Sequence, residues 1–220
     1  MPKIQISPLS GLASSLHRAL PVLVTCLIAG LLVGLSWSTP SQAAKEEPSK
    51  LLDKPAPILS GRALISRGLL NLKKLRQDVV FLKDDQGKPI KENGKYKTET
   101  TQYAQVLNFF ATYCVPCVKE IPTFNKIAEK YQGEKVRFLY VNVDVERTQE
   151  EVKAFAKAKG ISVEMMFPSV RYAMKAYDID ALPRIVIIDP DGVIRTVIRG
   201  FHEDLGVQMD EVLAGVLPKG

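Results

Sequence analysis

Two closely spaced cysteines give the clearest indication of chemistry, and they lie in the sequence Cys114-Val115-Pro116-Cys117 of this 220-residue chain. The apolar segment 106–111 precedes them and a helical pattern follows, so both thiols are expected on the first turn of a helix. That spacing allows a disulfide to form and break with little backbone movement. Because a helix N-terminus favours an anion, Cys114 is predicted to ionise near neutral pH and act as the nucleophile. Cys117 would then resolve the mixed disulfide by thiol–disulfide exchange.

Other uses of a Cys-x-x-Cys pair are open at this point. A zinc site needs about four ligands, and the chain offers only one further cysteine, Cys26, and two histidines, His17 and His202. A purely structural disulfide would close a very short loop and add little stability. A copper-handling module would combine the dithiol with a soft ligand such as Met165 or Met166. Those two methionines are more typical of a strand core, so redox exchange is the leading interpretation.

The N-terminal residues predict export. Residues 1–18 carry basic but no acidic side chains, 19–37 are almost entirely apolar, and 41–43 resemble a cleavage site. The apolar stretch suits either a signal peptide or a helix that just crosses a bilayer, so 1–43 is expected to be one or the other. Because basic residues precede the apolar stretch, the rest of the chain is expected in the periplasm or another extracytoplasmic space.

Composition indicates one exported globular domain. Residues 44–55 are rich in charge and proline and are expected to form a linker, which leaves 56–220 as the domain. If the export segment is removed, Cys114 and Cys117 are the only cysteines, so their use is chemical rather than structural. The net charge of +6 is modest, and acids interrupt the lysines of 83–97, which argues against a nucleic-acid partner.

Hydrophobic periodicity from residue 105 onward predicts alternating strands and helices. The predicted strands are 105–111, 136–143, 163–167, 184–189 and 193–199, and the predicted helices are 115–131, 148–159, 169–177 and 203–216. A Pro-Asp-Gly turn at 190–192 makes the last two strands an antiparallel hairpin on an otherwise parallel sheet. Turn signals and alternation within 76–102 predict an exposed hairpin inserted before the core strand. The architecture is therefore α/β.

Three segments together resemble the TlpA/ResA-like branch of the thioredoxin-fold thiol–disulfide oxidoreductases. They are the stretch 107–122 around the dithiol, the Ala-Leu-Pro sequence at 181–183 and the hairpin sequence 187–192. The resemblance covers about 105–216. It implies a thioredoxin-like fold, in which helices flank a central mixed sheet, and no cofactor beyond the redox-active Cys114–Cys117 disulfide.

The resemblance also implies catalytic residues. Pro183 matches the cis-proline that faces the dithiol in this family. Glu120, one helical turn after Cys117, matches an acid that the branch keeps near its active site. If burial raises its pKa, Glu120 can relay the proton of Cys117, whereas the alternative is an ordinary solvated glutamate. Asn108 stands where cytoplasmic thioredoxins carry a buried aspartate and cannot titrate, which favours Glu120 as the proton carrier.

Residues around the dithiol are expected to bind substrate on the same basis: Tyr113, Val115, Pro116 and Leu182. Tyr113 replaces the tryptophan that is usual in the family. The backbone of Leu182, before the cis-proline, would pair with an extended substrate segment. Arg184 would lower the pKa of the nucleophilic thiol if it points toward the sulfur, and otherwise points to solvent.

The function expected from this resemblance is reduction of disulfides in specific partner proteins outside the cytoplasm. Family members commonly act on apocytochromes c or copper-site assembly proteins, and a membrane thiol reductant returns them to the dithiol form. A tether through 19–37 would hold the domain at the membrane. The alternatives are a disulfide donor that works as an oxidant and, less favoured, the copper-handling module.

Overall fold

The fold is built around one completely buried strand, Ala104–Phe110, whose carboxyl end leads to the dithiol. In the computed structural model, which describes residues 49–217, all 7 residues of this strand are buried. Burial on both faces explains why its sequence is almost continuously apolar. The predicted export segment, 1–43, lies outside the described residues. Within 49–217, no helix is long and apolar enough to cross a bilayer.

Short strands alternate with helices along the described chain. The strands are β1 (Ser60–Ala63), β2 (Leu69–Asn71), β3 (Gln77–Phe81), β4 (Lys91–Glu92), β5 (Lys95–Tyr96), β6 (Thr98–Gln102), β7 (Ala104–Phe110), β8 (Val136–Asn142), β9 (Met165–Pro168), β10 (Arg184–Ile188) and β11 (Ile194–Arg199). The helices are α1 (Leu72–Leu75), α2 (Val115–Lys130), α3 (Gln149–Ala158), α4 (Val170–Ala176) and α5 (Leu205–Val216). From β7 onward, the elements agree with the predicted ones to within about two residues at each end.

The main sheet is mixed and has 7 strands in the order β11-β10-β7-β8-β9-β1-β2. The neighbouring strands that pair in parallel are β7 with β8 and β8 with β9. Strands β10 and β11 form the predicted antiparallel hairpin, but β1 is antiparallel to both β9 and β2, so the prediction of an otherwise parallel sheet is wrong at this edge. Apolar periodicity identifies strands but does not encode their direction, which packing across the sheet decides.

Helices cover both faces of this sheet, as the predicted α/β architecture requires. Buried residues of α2, α3 and α5 join one hydrophobic cluster, which also contains both cysteines of the dithiol. Buried residues of α1 and α4 join a second cluster on the opposite face. We call the face of the sheet that the first cluster covers the dithiol face, and the face that the second cluster covers the opposite face. Alternate residues of β7 and β10 enter one cluster or the other, as the pleat of a strand dictates.

Residues 49–55, which the composition predicts to be part of a linker, are hydrogen-bonded to the domain. The Asp53 amide donates to the Ile194 carbonyl oxygen at 2.9 Å, and the Ala56 amide donates to the Gly192 carbonyl oxygen at 2.8 Å. These backbone bonds attach the segment to the closing hairpin, β10–β11. Backbone pairing of this kind fixes a segment even where its composition is typical of a linker.

The predicted insertion at 76–102 is a β-ribbon. Strand β3 pairs antiparallel with β6, β4 pairs with β5 at the tip, and every residue of β3 is exposed. Arg137 on β8 holds the base, where its guanidinium bonds to the Asp78 carboxylate at 2.5 Å and to the Leu75 carbonyl oxygen at 2.8 Å. The ribbon joins the amino end of β7, whereas the dithiol follows the carboxyl end, about 20 Å away along the strand.

Candidate active site

The dithiol lies where the sequence predicts it, at the N-terminus of α2. Cys114 is the N-cap residue, and its sulfur accepts a hydrogen bond from the Cys117 amide at 3.2 Å. The two cysteines form a disulfide, and their Cα atoms are 5.2 Å apart. Pro116 occupies the first helical turn, where a missing N–H costs nothing. When the disulfide is reduced, the same amide and the helix dipole would stabilise a thiolate at Cys114.

The two sulfurs differ in accessibility. Cys114 is 9% exposed and Cys117 only 2%, so a partner reaches the first cysteine more readily than the second. Tyr113 and Val115 are 61% and 65% exposed, and Pro116 is exposed as well. These three side chains form the rim around Cys114. Their contact with substrate remains a prediction, and the structure places them where such contact is possible.

The predicted cis-proline lies at the end of the sheet that carries the dithiol. The Leu182–Pro183 peptide bond is cis, as the resemblance implied. Strand β10 starts at Arg184, which pairs with Phe109 near the carboxyl end of β7, so Pro183 stands at the same end of the sheet as the dithiol. Leu182 is half-buried and packs against both hydrophobic clusters.

Glu120 is a buried carboxyl group rather than a solvated one. Its residue is 1% exposed, and Oε1 accepts a hydrogen bond of 2.7 Å from the Asn108 side-chain amide, whereas Oε2 has no protein partner. Burial raises the pKa of Glu120 to about 7, and the Asn108 hydrogen bond opposes part of that rise. Burial, helped by the charge of Glu120, also raises the pKa of Tyr140. The alternative of an ordinary surface glutamate is therefore wrong.

The spacing of α2 explains this burial. Cys117, Glu120, Ile121 and Phe124 recur at the three- and four-residue intervals that define one helix face, and all four are buried. Glu120 therefore lies on the same buried face of α2 as Cys117. This signal was present in the sequence, since an acid within an apolar stripe marks a group that must be buried.

Arg184 takes neither of its predicted orientations. It is completely buried, donates to the Asp178 carbonyl oxygen at 2.9 Å and forms an ion pair with Asp180. Its neighbour Ile185 enters the dithiol-face cluster, so strand alternation turns Arg184 to the opposite face. Arg184 therefore fixes the connection that leads to Pro183 and does not act on the nucleophilic sulfur.

A carboxylate that sequence reasoning missed supports the loop before Cys114. Asp144 is buried and accepts hydrogen bonds from the Thr112 amide at 3.0 Å, the Thr112 hydroxyl at 2.8 Å and the Asn142 side chain at 2.5 Å. Asp144 follows β8 and Thr112 follows β7, and carboxyl ends of adjacent parallel strands lie at one edge. A strand-end acid beside a strand-end hydroxyl on the neighbouring parallel strand would have been the signal to look for.

The two methionines of the copper interpretation are core residues. Met165 and Met166 are completely buried in β9. Met165 belongs to the cluster of the dithiol face and Met166 to the cluster of the opposite face. Adjacent strand residues point in opposite directions, so only Met165 lies on the side of the sheet that carries the dithiol, and its side chain is packed in the core.

Comparison with known proteins identifies the family. The AhpC/TSA family matches residues 80–197, which is more than half of the 220 residues. The chain belongs to the AhpC/TSA family. Its curated relatives include the thiol-disulfide oxidoreductase ResA of Bacillus thuringiensis subsp. konkukian, 31% identical over 112 residues, or 51% of this chain and 62% of the relative. The ResA of Bacillus subtilis is 31% identical over 94 residues, or 43% of this chain and 51% of the relative. The resemblance to the ResA-like branch is confirmed, and the chain spans about half to three fifths of the relatives' length.

Solved structures confirm the thioredoxin-like fold. A thiol:disulfide interchange protein of the thioredoxin family from Chlorobium tepidum has a TM-score of 0.54 at 22% identity, and the match covers 80% of this chain and 100% of that one. The thioredoxin domain of a thiol-disulfide oxidoreductase from Bacteroides vulgatus has a TM-score of 0.56 at 17% identity, with 74% and 98% covered. At these identities the likeness concerns the fold alone.

Proposed function

We propose that this protein is an extracytoplasmic thiol–disulfide oxidoreductase that reduces disulfides of specific partner proteins. The observation that carries the proposal is the unequal exposure of the dithiol: Cys114, the N-cap of α2, is 9% exposed beside an exposed rim, whereas Cys117 is 2% exposed. This arrangement suits a nucleophile and a resolving thiol. The names of the curated relatives, thiol-disulfide oxidoreductases, support the same reaction class.

The reaction proceeds in two exchanges. The Cys114 thiolate attacks one sulfur of the partner's disulfide, which forms a mixed disulfide and releases the other partner sulfur as a thiolate. The Cys117 thiolate then attacks Sγ of Cys114, which closes the Cys114–Cys117 disulfide and releases the second partner thiolate. Two electrons pass from the dithiol to the partner, and solvent supplies protons to the released thiolates. A thiol reductant must afterwards return the protein to the dithiol form.

Glu120 supplies the proton path for the second exchange. Cys117 is too buried to lose its proton directly to water, and Glu120 lies one turn further along the same buried stripe. With a pKa of about 7, the carboxyl group is close to half ionised at neutral pH and can both accept and return a proton. Asn108 orients the carboxylate through its hydrogen bond of 2.7 Å.

The partners follow from the family resemblance. Apocytochromes c or copper-site assembly proteins are the proposed substrates, and a membrane thiol reductant is the proposed electron donor. The export segment, 1–43, supports a periplasmic or other extracytoplasmic location, with a possible tether through 19–37. The oxidant alternative loses its main support, because Arg184 is bonded to Asp178 and Asp180 instead of facing the sulfur.

A trapping experiment tests the two-step mechanism. In Cys117→Ser the first exchange is intact and the second is blocked, so covalent adducts with partner proteins accumulate and are released by reductant. Cys114→Ser is the matched control and forms no such adducts, because the accessible nucleophile is gone. Adducts of equal amount in both variants would contradict the assignment of Cys114 as the nucleophile.

A further inference from the structure

A pocket of about 570 Å³ on the dithiol face of the sheet has a positively charged wall. Its charged lining residues are Arg62, Arg67, Lys153 and Glu150. We propose that this pocket is a second recognition site, which binds an acidic segment of the partner protein while the partner's disulfide lies at Cys114. The inference rests on the proposed function and adds a charge preference to it.

The pocket extends from the edge of the sheet that carries the dithiol, where Arg62 lies, to the turn of Arg67 beside Glu164, which precedes β9. Gln149 and Glu150 start α3, which follows the carboxyl end of β8, and Phe167 lies near the carboxyl end of β9. Arg62 on β1 is paired with Phe167. The dithiol follows the carboxyl end of β7, parallel to β8 and β9. Crevices beyond the carboxyl ends of parallel strands are the common ligand sites of open α/β sheets.

The pocket is also on the same face as the dithiol. Leu64 and Phe167, which line it, pack against the hydrophobic cluster that contains Cys114 and Cys117. Helix α3, which forms one wall, buries Val152 in that cluster as well. A polypeptide bound at Cys114 can therefore continue along this edge into the pocket without crossing the sheet.

The charges of the pocket suit a carboxylate ligand. Three of the lining residues are cations and one is an acid. The Lys153 ammonium lies 3.9 Å from the Glu150 carboxylate, which leaves Arg62 and Arg67 as the dominant charges. Within residues 49–217 neither arginine forms an ion pair. Guanidinium groups bind carboxylates through two parallel hydrogen bonds, so this pair favours an acidic side chain over a neutral one.

The turn that carries Arg67 is held in place by the half-buried Glu164. Both carboxylate oxygens of Glu164 accept backbone hydrogen bonds, from the Ile65 amide at 2.8 Å and from the Ser66 amide at 2.9 Å. Arg67 adopts a φ of 54°, a left-handed conformation that a non-glycine residue keeps only when its surroundings fix it. A fixed backbone reduces the conformational entropy that a bound segment must remove.

Strand spacing gives the distance between the two sites. Neighbouring strands are about 4.8 Å apart, so the pocket between β9 and β1 is roughly 12 Å from β7 along the edge. An extended chain advances about 3.3 Å per residue. The acidic residue of the partner is therefore expected about three to five positions from its target cysteine.

Single-turnover reduction of model disulfide peptides tests this site. The fully reduced protein is mixed with peptides that carry glutamate, glutamine or lysine three to five positions on both sides of the disulfide-bonded cysteine. We expect the glutamate peptide to react about tenfold faster than the glutamine peptide at low salt, and this advantage to shrink in about 1 M salt. The uncharged compound hydroxyethyl disulfide reports the chemistry alone.

Two double variants localise the effect. Arg62→Gln with Arg67→Gln should remove most of the preference for the glutamate peptide and leave hydroxyethyl disulfide reduction unchanged. Lys88→Gln with Lys95→Gln removes the same charge from exposed positions of the ribbon and should keep the preference. Equal loss in both double variants would show a general charge effect and overturn the pocket as the site.

Failure of the inference and failure of the proposed function look different. If the wild-type protein reduces hydroxyethyl disulfide, and reduces the three peptides at equal rates, the charged pocket has no recognition role, although the oxidoreductase function stands. If the protein reduces none of these disulfides, the proposed function is wrong and the inference falls with it.

Discussion

The two ends of strand β7 differ in almost every physical respect. At the carboxyl end, Cys117 is covered, and Asn108 and Glu120 form a buried polar pair. At the amino end, a ribbon projects with every residue of β3 exposed. Strand β7 thus connects a region where burial shifts the pKa of Glu120 to a region whose side chains are exposed to water. This difference in burial indicates that the chemistry of the protein depends on which polar groups are shielded from water by the helices.

The ribbon is stabilised mainly by its own pairing and by its base. Its apolar side chains include the contact between Phe81 and Tyr96, whose ring centroids are 5.3 Å apart, yet both residues are exposed. Two-stranded ribbons are only marginally stable alone. The Arg137 contacts to Asp78 and Leu75 therefore matter for its position. Because the ribbon leaves the opposite end of β7, it does not gate the dithiol.

The largest expected effect comes from Glu120. Replacing Glu120 with Gln removes the titrating group, so the second exchange should slow by about 100-fold at pH 7, whereas attack by Cys114 should be affected much less. Rapid-quench measurement of mixed-disulfide accumulation separates these two steps. The matched control, Glu99→Gln on the exposed ribbon strand β6, should leave both rates unchanged. Equal resolution rates in Glu120→Gln and the wild-type protein would contradict the proton-relay role.

Stability should depend on pH through the same residue. The folded-state pKa of Glu120 is about 7, above the usual value of 4.5, so the folded state binds more protons than the unfolded state between those values. This contribution is complete at low pH and is lost as pH rises, by about 2–3 kcal/mol between pH 5 and pH 8. Urea unfolding of the oxidised protein at both pH values should show this loss, and Glu120→Gln should lack it. A loss of the same size in that variant would assign it to other groups.

An intermediate effect, on the free energy of unfolding, is expected from two aspartates that both accept hydrogen bonds from nearby backbone amides. Asp144 at the dithiol end and Asp84 near the ribbon tip each accept hydrogen bonds from backbone amides, but only Asp144 is buried. Asp144→Ala should lower the free energy of unfolding by about 1–3 kcal/mol, because the Thr112 amide loses its partner inside the protein. Asp84→Ala should cost about 0.5 kcal/mol or less. An equal loss in the free energy of unfolding of the two variants, measured by urea denaturation, would contradict the difference in burial between the two ends.

The smallest effect on activity is expected at the ribbon base. Arg137→Gln removes the ion pair with Asp78, so amide hydrogens of 77–102 should exchange faster with solvent. Reduction of hydroxyethyl disulfide should stay at the wild-type rate, because the dithiol is at the other end of β7. A fall in that rate would show that the two ends are coupled.

The sequence was informative where the determinants are local. The spacing of Cys114 and Cys117 after an apolar run predicted both the helix start and the disulfide, because a helix turn fixes that geometry. Periodicity gave the elements from β7 onward. The cis bond before Pro183 came from the family resemblance, since most bonds of this type are trans.

The remainder depends on contacts between distant segments. The orientation of Arg184 is set by strand alternation together with the positions of Asp178 and Asp180, which no local pattern reveals. The support that Asp144 gives to Thr112 depends on the parallel register that pairs Phe110 with Asn142. The direction of each strand also depends on contacts between distant segments, because it is set when the strands pair into the sheet.

The reduction potential of the Cys114–Cys117 pair is the most direct test of whether the protein works as a reductant. The full-length protein would be equilibrated in thiol buffers of known potential, alkylated and digested with trypsin, and the peptide 98–119, which contains both cysteines, would be quantified by mass. If the protein is a reductant, we expect a reduction potential at or below about −230 mV, in the range of reducing thioredoxin-fold proteins. A value near about −120 mV would contradict this expectation and identify an oxidant.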